Sequence, residues 1–190
     1  MFKLRIATRP EWVNAVLADF NAFLLDHAAC ERKASTTGMA FVVRYPDRTE
    51  LLEPMIELAR EELEHFHQVY RIIAQRGLRL TGDEKDPYVS KLLSFLRTGR
   101  DERLLDRLLV AGVVESRGCE RFGLVAQALP EGELKQFYMD ITRAEARHHG
   151  LFLRLARIYF DDSAIEPRLA ELLDTEAQLV DGLPIRPALH

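Results

Sequence analysis

Apolar positions recur every three or four residues along most of the chain, the spacing of helices that each bury one face. After an irregular arm, Thr8-Arg9-Pro10-Glu11 has the form of a capping box with proline in the first turn. It predicts a long helix to about Tyr45, where Pro46 discourages continuation, with Val13, Leu17, Phe20, Leu24 and Ala28 as its apolar stripe. A second helix is predicted from near Thr49 to near Arg76, with Gly77 ending it. Its buried face is marked by Met55, Leu58, Ala59, Phe66, Val69, Ile72 and Ile73. Residues 77–100 form the longest connection, broken by Gly82 and Pro87, with room for a short helix over Tyr88 to Arg97. Asp101 can cap a third helix that runs to about Gln127 on the stripe Leu104, Leu108, Ala111, Cys119, Phe122 and Ala126. The turn Pro130-Glu131-Gly132 leads into a fourth helix, to about Tyr159, on Tyr138, Ile141, Phe152, Leu155 and Tyr159. Ser163-Ala164-Ile165-Glu166 is a second capping box, opening a last helix to about Asp181, and the tail from Pro184 reads as extended. Strand signals are scarce. The expected fold is all-α: an antiparallel four-helix bundle with a short crossover helix and an extra C-terminal helix, forming one domain over residues 1–190.

Each of the four long stripes is interrupted by carboxylates. Glu31 sits where the first stripe calls for an apolar side chain, and Glu115 does the same in the third. The second helix offers two overlapping Glu-x-x-His pairs in Glu61-Glu62-Leu63-Glu64-His65-Phe66-His67. Residues three apart lie on one helical face, so each pair can hold a metal ion between a carboxylate oxygen and an imidazole nitrogen. The stripe decides between them. Glu62 and His65 fall on the apolar face, whereas Glu64 and His67 share theirs with Glu57, Arg60, Arg71 and Gln75. A further pair, Glu145 and His148, lies inward on the fourth helix. Thirty-one positions separate Glu31 from Glu62, and 30 separate Glu115 from Glu145, so the two halves repeat one plan. Two Glu-x-x-His helices plus one Glu from each of two others are the ligand set of ferritin-like dimetal bundles. Four carboxylates in apolar seams are costly to bury unless cations neutralise them. Oxygen-rich ligation with two imidazoles suits iron or manganese better than a thiolate-seeking metal. The candidate ligands are therefore Glu31, Glu62, His65, Glu115, Glu145 and His148.

Composition narrows the class. With 47 % apolar and 29 % charged residues the chain has ordinary globular composition, and no apolar run approaches a membrane span. The start shows no secretory h-region, and two cysteines are too few for a disulfide framework, so a reducing cytoplasm is the expected compartment. Cys30 and Cys119 border two of the candidate ligands but read as small core residues. The net charge of −4 announces no general basic field.

The same segments carry a family resemblance. His27-Ala28-Ala29-Cys30-Glu31-Arg32-Lys33-Ala34, Leu58-Ala59-Arg60-Glu61-Glu62-Leu63-Glu64-His65-Phe66, Glu115-Ser116-Arg117-Gly118-Cys119-Glu120-Arg121-Phe122 and Glu145-Ala146-Arg147-His148-His149 resemble the tRNA 2-methylthio-N6-isopentenyladenosine hydroxylase family. The likeness extends from about Trp12 to Tyr159, and the Cys-Glu-Arg-Lys-Ala run discriminates better than the metal motif. It implies a ferritin-like diiron monooxygenase with two iron ions, O2 as co-substrate and electrons from an external reductase or ferredoxin-like protein. It also implies a hypermodified adenosine beside the tRNA anticodon as substrate, hydroxylated on its isopentenyl group.

A tRNA substrate needs phosphate contacts. Arg32 and Lys33, Arg117 and Arg121, and Arg143 and Arg147 flank three of the candidate ligands and are the first candidates. Arg76, Arg79, Arg97, Arg100 and Arg103 around the crossover are a second set. Two other function classes share parts of the pattern. One is a ferritin-like iron-handling or peroxide-reducing protein without RNA. The other is a metal-free helical module whose Glu and His residues pair, for which four carboxylates against two histidines make a poor charge balance.

Overall fold

A computed structural model describes residues 3–82 and 85–190, with His149 described in its backbone alone. Met1, Phe2, Asp83 and Glu84, at the start of the arm and within the crossover, lie outside the described residues. Among the described residues seven helices follow in order: α1 (Pro10–Ala18), α2 (Phe20–Arg44), α3 (Thr49–Gln75), α4 (Pro87–Leu93), α5 (Arg100–Ala128), α6 (Glu133–Tyr159) and α7 (Asp162–Gly182). There is no strand among the described residues, and no helix there is long and apolar enough to cross a membrane.

The chain divides into two compact units, Asn14–Glu84 with Arg186–Leu189, and Met1–Val13 with Lys85–Ile185 and His190. In the first, α2 and α3 form a hairpin joined by four residues. Its core holds Phe23, Leu24, Ala28, Phe41, Leu51, Met55, Leu58, Ala59, Val69 and Ile73. Gly38 lets the two helices approach closely: a Cβ there would stand 3.0 Å from the Met55 carbonyl oxygen and 3.1 Å from the Ala59 Cβ. Ser35 donates to the Ala59 carbonyl at 2.7 Å, tying the same crossing. Gly77, at φ +70°, and Leu78 close α3 with hydrogen bonds to the carbonyls of Ala74 and Ile73, a Schellman cap.

In the second unit α5 and α6 form the hairpin, and α7 packs on α5 with α4 and α6 at its sides. Gly132, at φ +152°, begins α6 in a conformation that side chains rarely adopt. Polar ties run through this unit. Buried Asp106 receives hydrogen bonds from Arg97 of the crossover and Arg168 of α7. Arg168 also donates to the Phe95 carbonyl at 2.7 Å. These contacts clamp the crossover segment to both helices.

The structure departs from the sequence reading at several helix starts. The first long helix is two, broken where the Asp19 side chain caps α2 by accepting from the Ala22 amide at 3.0 Å. On α1 the buried residues are Trp12 and Val16, so Leu17 is 43 % exposed although it lay on the expected stripe. Thr8 does not close a capping box; its amide and hydroxyl both go to Glu120, at 2.9 and 2.7 Å. Gly99, not Asp101, is the N-cap of α5, and Asp161 rather than Ser163 precedes α7. The crossover helix begins at Pro87, capped by Asp86, and stops at Leu93.

Candidate metal centre

Helical phase places the six candidate ligands as two trios, one per unit. In the α2–α3 hairpin, Glu31, Glu62 and His65 are 3 %, 1 % and 6 % exposed. Their ligand atoms lie within 4.8 Å of one another. His65 Nδ1 stands 3.2 Å from Glu62 Oε2 and 3.6 Å from Glu31 Oε2. Glu64 and His67, the other overlapping pair, have side chains 57 % and 49 % exposed. In the α5–α6 hairpin, Glu115, Glu145 and His148 likewise bring ligand atoms within 4.8 Å of one another. Glu145 and His148 are buried, and Glu115 is half-buried. His148 Nδ1 lies 3.3 Å from Glu145 Oε2, nearly the spacing found in the first trio.

The electrostatics of the first trio are set by burial and by its carboxylates. Burial pulls His65 down, but hydrogen bonds to Glu31 and Glu62 and their charges outweigh it, raising the imidazole to about 10. Two buried carboxylates thus call for positive charge at this point. One turn earlier on α2, His27 is fully buried, and its Nε2 stands 2.7 Å from Glu31 Oε1. Burial, helped by the charge of His65, lowers His27 to about 3. It is a neutral imidazole whose Nε2–H donates to Glu31. The sequence reading passed over His27, although its position four residues before Glu31 puts both on one face.

Cys119 does not compete as a ligand. Burial first, then the charges of Glu145, Glu115 and Glu120, raise Cys119 to about 11, so it remains a thiol, and it donates to the Thr142 carbonyl at 3.4 Å. Cys30 is half-buried, with its sulfur 3.8 Å from Asp26. The donor set in each unit is two carboxylates and one imidazole without thiolate. That chemistry fits a divalent first-row metal of the iron or manganese kind.

The cations flanking the ligands divide sharply. Arg117 is fully buried. It donates to Glu176 at 2.8 and 3.1 Å, to the Ile6 carbonyl at 3.0 Å, and to Glu120 and Thr8. Glu176, itself fully buried on α7, also accepts from the Tyr88 hydroxyl. Arg121 is buried too, with its guanidinium 4.9 Å from the Trp12 ring centre and its Nε donating to Thr8. These two arginines were expected to face tRNA phosphates; instead they fasten the N-terminal arm and α7 to α5. The polar groups on that face of α5 are satisfied by protein partners. Arg143 and Arg147 are exposed, and Arg32 and Lys33 half-buried at the surface, with the Arg32 guanidinium 5.6 Å from the Phe66 ring. In the crossover set, Arg97 is committed to Asp106.

Comparison with known proteins agrees with this geometry. Residues 2–190 match the family model described as tRNA-(MS[2]IO[6]A)-hydroxylase (MiaE). A protein of Pseudomonas putida named tRNA 2-(methylsulfanyl)-N(6)-isopentenyladenosine(37) hydroxylase is 35 % identical over 187 residues, covering 93 % of this chain and 91 % of its own. A protein of the same name from Salmonella typhimurium is 34 % identical over 132 residues, 69 % of this chain and 48 % of its own. Among solved structures, a Synechococcus protein titled as having aldehyde deformylating oxygenase activity superposes with a TM-score of 0.93 at 37 % identity. It covers 98 % of this chain and 94 % of its own. The fold is thereby the ferritin-like helical bundle expected from the sequence. With nearly its full length matched, and with Glu62/His65 and Glu145/His148 buried on the predicted faces, the chain belongs to the MiaE family of tRNA hydroxylases.

Proposed function

We propose that this chain is a non-haem diiron monooxygenase that hydroxylates the isopentenyl group of 2-methylthio-N6-isopentenyladenosine beside the tRNA anticodon. The observation that carries the reading is the pair of buried Glu/Glu/His trios, one in each helix hairpin, in a chain of this family. Glu31, Glu62 and His65 would hold one iron ion, and Glu115, Glu145 and His148 a second. Two iron ions there would supply the reduction of O2 that hydroxylation of an allylic C–H bond requires. In the overall balance, one oxygen atom enters the C–H bond as hydroxyl. The other leaves as water, with two protons and two electrons. The electrons need an external donor, and a reductase or ferredoxin-like protein fits that role.

The chain's own residues do the rest. Phe23, Leu24 and Ala28 on α2, Met55 and Leu58 on α3, and Tyr138, Ile141 and Phe152 on α6 are buried along the same helices as the trios and keep water from them. Arg32, Lys33, Arg143 and Arg147 meet tRNA phosphates, a positioning role without sequence readout.

The test is metal content joined to nucleoside analysis. Iron-loaded protein should hold about two ions per chain. Glu62→Ala with His65→Ala should lose at least one ion, and Glu64→Ala with His67→Ala should lose none. The reduced, loaded protein with O2 and substrate tRNA should convert the isopentenyl nucleoside to its hydroxylated form. Unchanged tRNA with rapid peroxide consumption would favour a peroxide-reducing role. Unchanged tRNA with turnover of an aldehyde would favour the activity in the Synechococcus protein's title.

A further inference from the structure

We infer that His27 is a positioning residue for Glu31, fixing which carboxylate oxygen faces the metal. The inference rests on the reading of Glu31 as an iron ligand. His27 belongs to neither ligand trio, so it acts through Glu31 rather than on the metal. Its Nε2 lies 2.7 Å from Glu31 Oε1, while the other oxygen, Oε2, lies 3.6 Å from His65 Nδ1. The two oxygens of one carboxylate are thus divided, Oε1 toward His27 and Oε2 toward the ligand cluster. A carboxylate accepts, so His27 must donate from Nε2. Full burial gives that bond no competition from water, and a hydrogen bond to a charged acceptor is among the stronger kinds.

The imidazole is itself held. It stacks on Phe23, one turn earlier, with ring centres 6.1 Å apart and planes 30° apart. Both sit on α2 of one hairpin, so the order Phe23, His27, Glu31 is a support column one helical turn per step. Such a column restrains a flexible glutamate to one rotamer and draws electron density from Oε1. It favours ligation through Oε2 alone and holds that oxygen ready for the metal without a rotamer search. Partners of this kind behind metal ligands change affinity by about 10- to 100-fold when removed.

The bland alternative is a core histidine that merely satisfies its own polar atoms. Three substitutions separate the two. His27→Met fills similar volume and donates nothing. His27→Phe keeps the stack on Phe23 and donates nothing. His27→Gln places an amide N–H near the position of Nε2 and retains the donor. Ferrous iron affinity is measured by chelator competition, and the ligand field of each ion by magnetic circular dichroism. Wild type should bind two ions per chain. His27→Met and His27→Phe should each weaken one ion by roughly tenfold or more. They should shift that ion's bands alone, and His27→Gln should restore most of both. The melting of the iron-free proteins reports packing separately. If either donor-free variant folds and binds both ions with wild-type affinity and spectra, the inference is overturned while the iron-site reading stands. If wild type itself takes up no stoichiometric iron, the underlying reading fails and the inference with it.

Discussion

At the scale of single residues, a polar group on an apolar stripe has two physically distinct fates here. Glu31, Glu62 and Glu145 are buried beside imidazoles, and their excess of carboxylate favours a cation there. Asp106, Arg117, Arg168 and Glu176 are equally buried, but they cancel one another. Sequence periodicity found the first group and missed the second, because spacing along one helix does not show what lies opposite. The distinction is testable. Arg117→Ala leaves Glu176 as a buried charge and should destabilise the protein by about 3–5 kcal/mol in denaturant unfolding. Arg117→Met with Glu176→Leu removes both charges and should recover much of that loss. A similar loss in the double variant would mean that packing, not charge, is at stake.

Asp86 offers a pH-dependent case. Burial would raise it, but hydrogen bonds from His190 and from the Val89 and Tyr88 amides outweigh that and hold it at about 2. A depressed carboxylate contributes stability above its unfolded value, near 4, and loses it as pH falls toward 2. Asp86→Asn keeps a capping side chain without the charge. The wild type should exceed it by up to about 2 kcal/mol near neutrality. The gap should close progressively between about pH 4 and pH 2. A gap unchanged down to pH 2 would assign the effect to cap geometry.

At the scale of elements, long helices were legible and their first turns were not. The stripes of α3 and α6 placed Glu62, His65, Glu145 and His148 inward because 27 residues of each helix run unbroken. The α1–α2 break was hidden, since Asp19 within an apolar-periodic run looks like one exposed residue until its side chain is seen bonding Ala22. Thr8 matched a capping box, but a partner 112 residues away claimed its hydroxyl. Local signals lose to tertiary partners at helix ends, where backbone groups are unsatisfied in any case. The α2–α3 crossing at Gly38 gives a prediction at this scale. Alanine there would gain up to about 1 kcal/mol of helix propensity against a mild clash. Leucine cannot be placed against the Met55 carbonyl without separating the helices. Gly38→Leu should therefore lower stability by about 1–3 kcal/mol, read from thermal melts of the iron-free protein. An unchanged melting temperature would show that the hairpin does not depend on this close approach.

At the scale of the whole molecule, a net charge of −4 gives no general attraction to RNA. Binding must come from local cations, and burial has removed Arg117 and Arg121 from that set. Each remaining arginine or lysine that neutralises a phosphate steepens the salt dependence of affinity. Alanine at Arg32 with Lys33, or at Arg143 with Arg147, should weaken tRNA binding and flatten its salt slope by about one to two. Iron content should not change. If only Arg100→Ala with Arg103→Ala shows this effect, the crossover side is the RNA-binding surface.

The most direct measurement of the central claim follows the oxygen atom. Reduced, iron-loaded protein is given tRNA carrying the isopentenyl nucleoside under isotopically heavy O2, and the digested nucleosides are weighed by mass spectrometry. One heavy oxygen is expected in the hydroxylated nucleoside. Glu62→Ala with His65→Ala should abolish the product, whereas Glu64→Ala with His67→Ala should not. A hydroxyl whose oxygen comes from water, or product formation that survives loss of Glu62 and His65, would contradict a diiron monooxygenase built on these ligands.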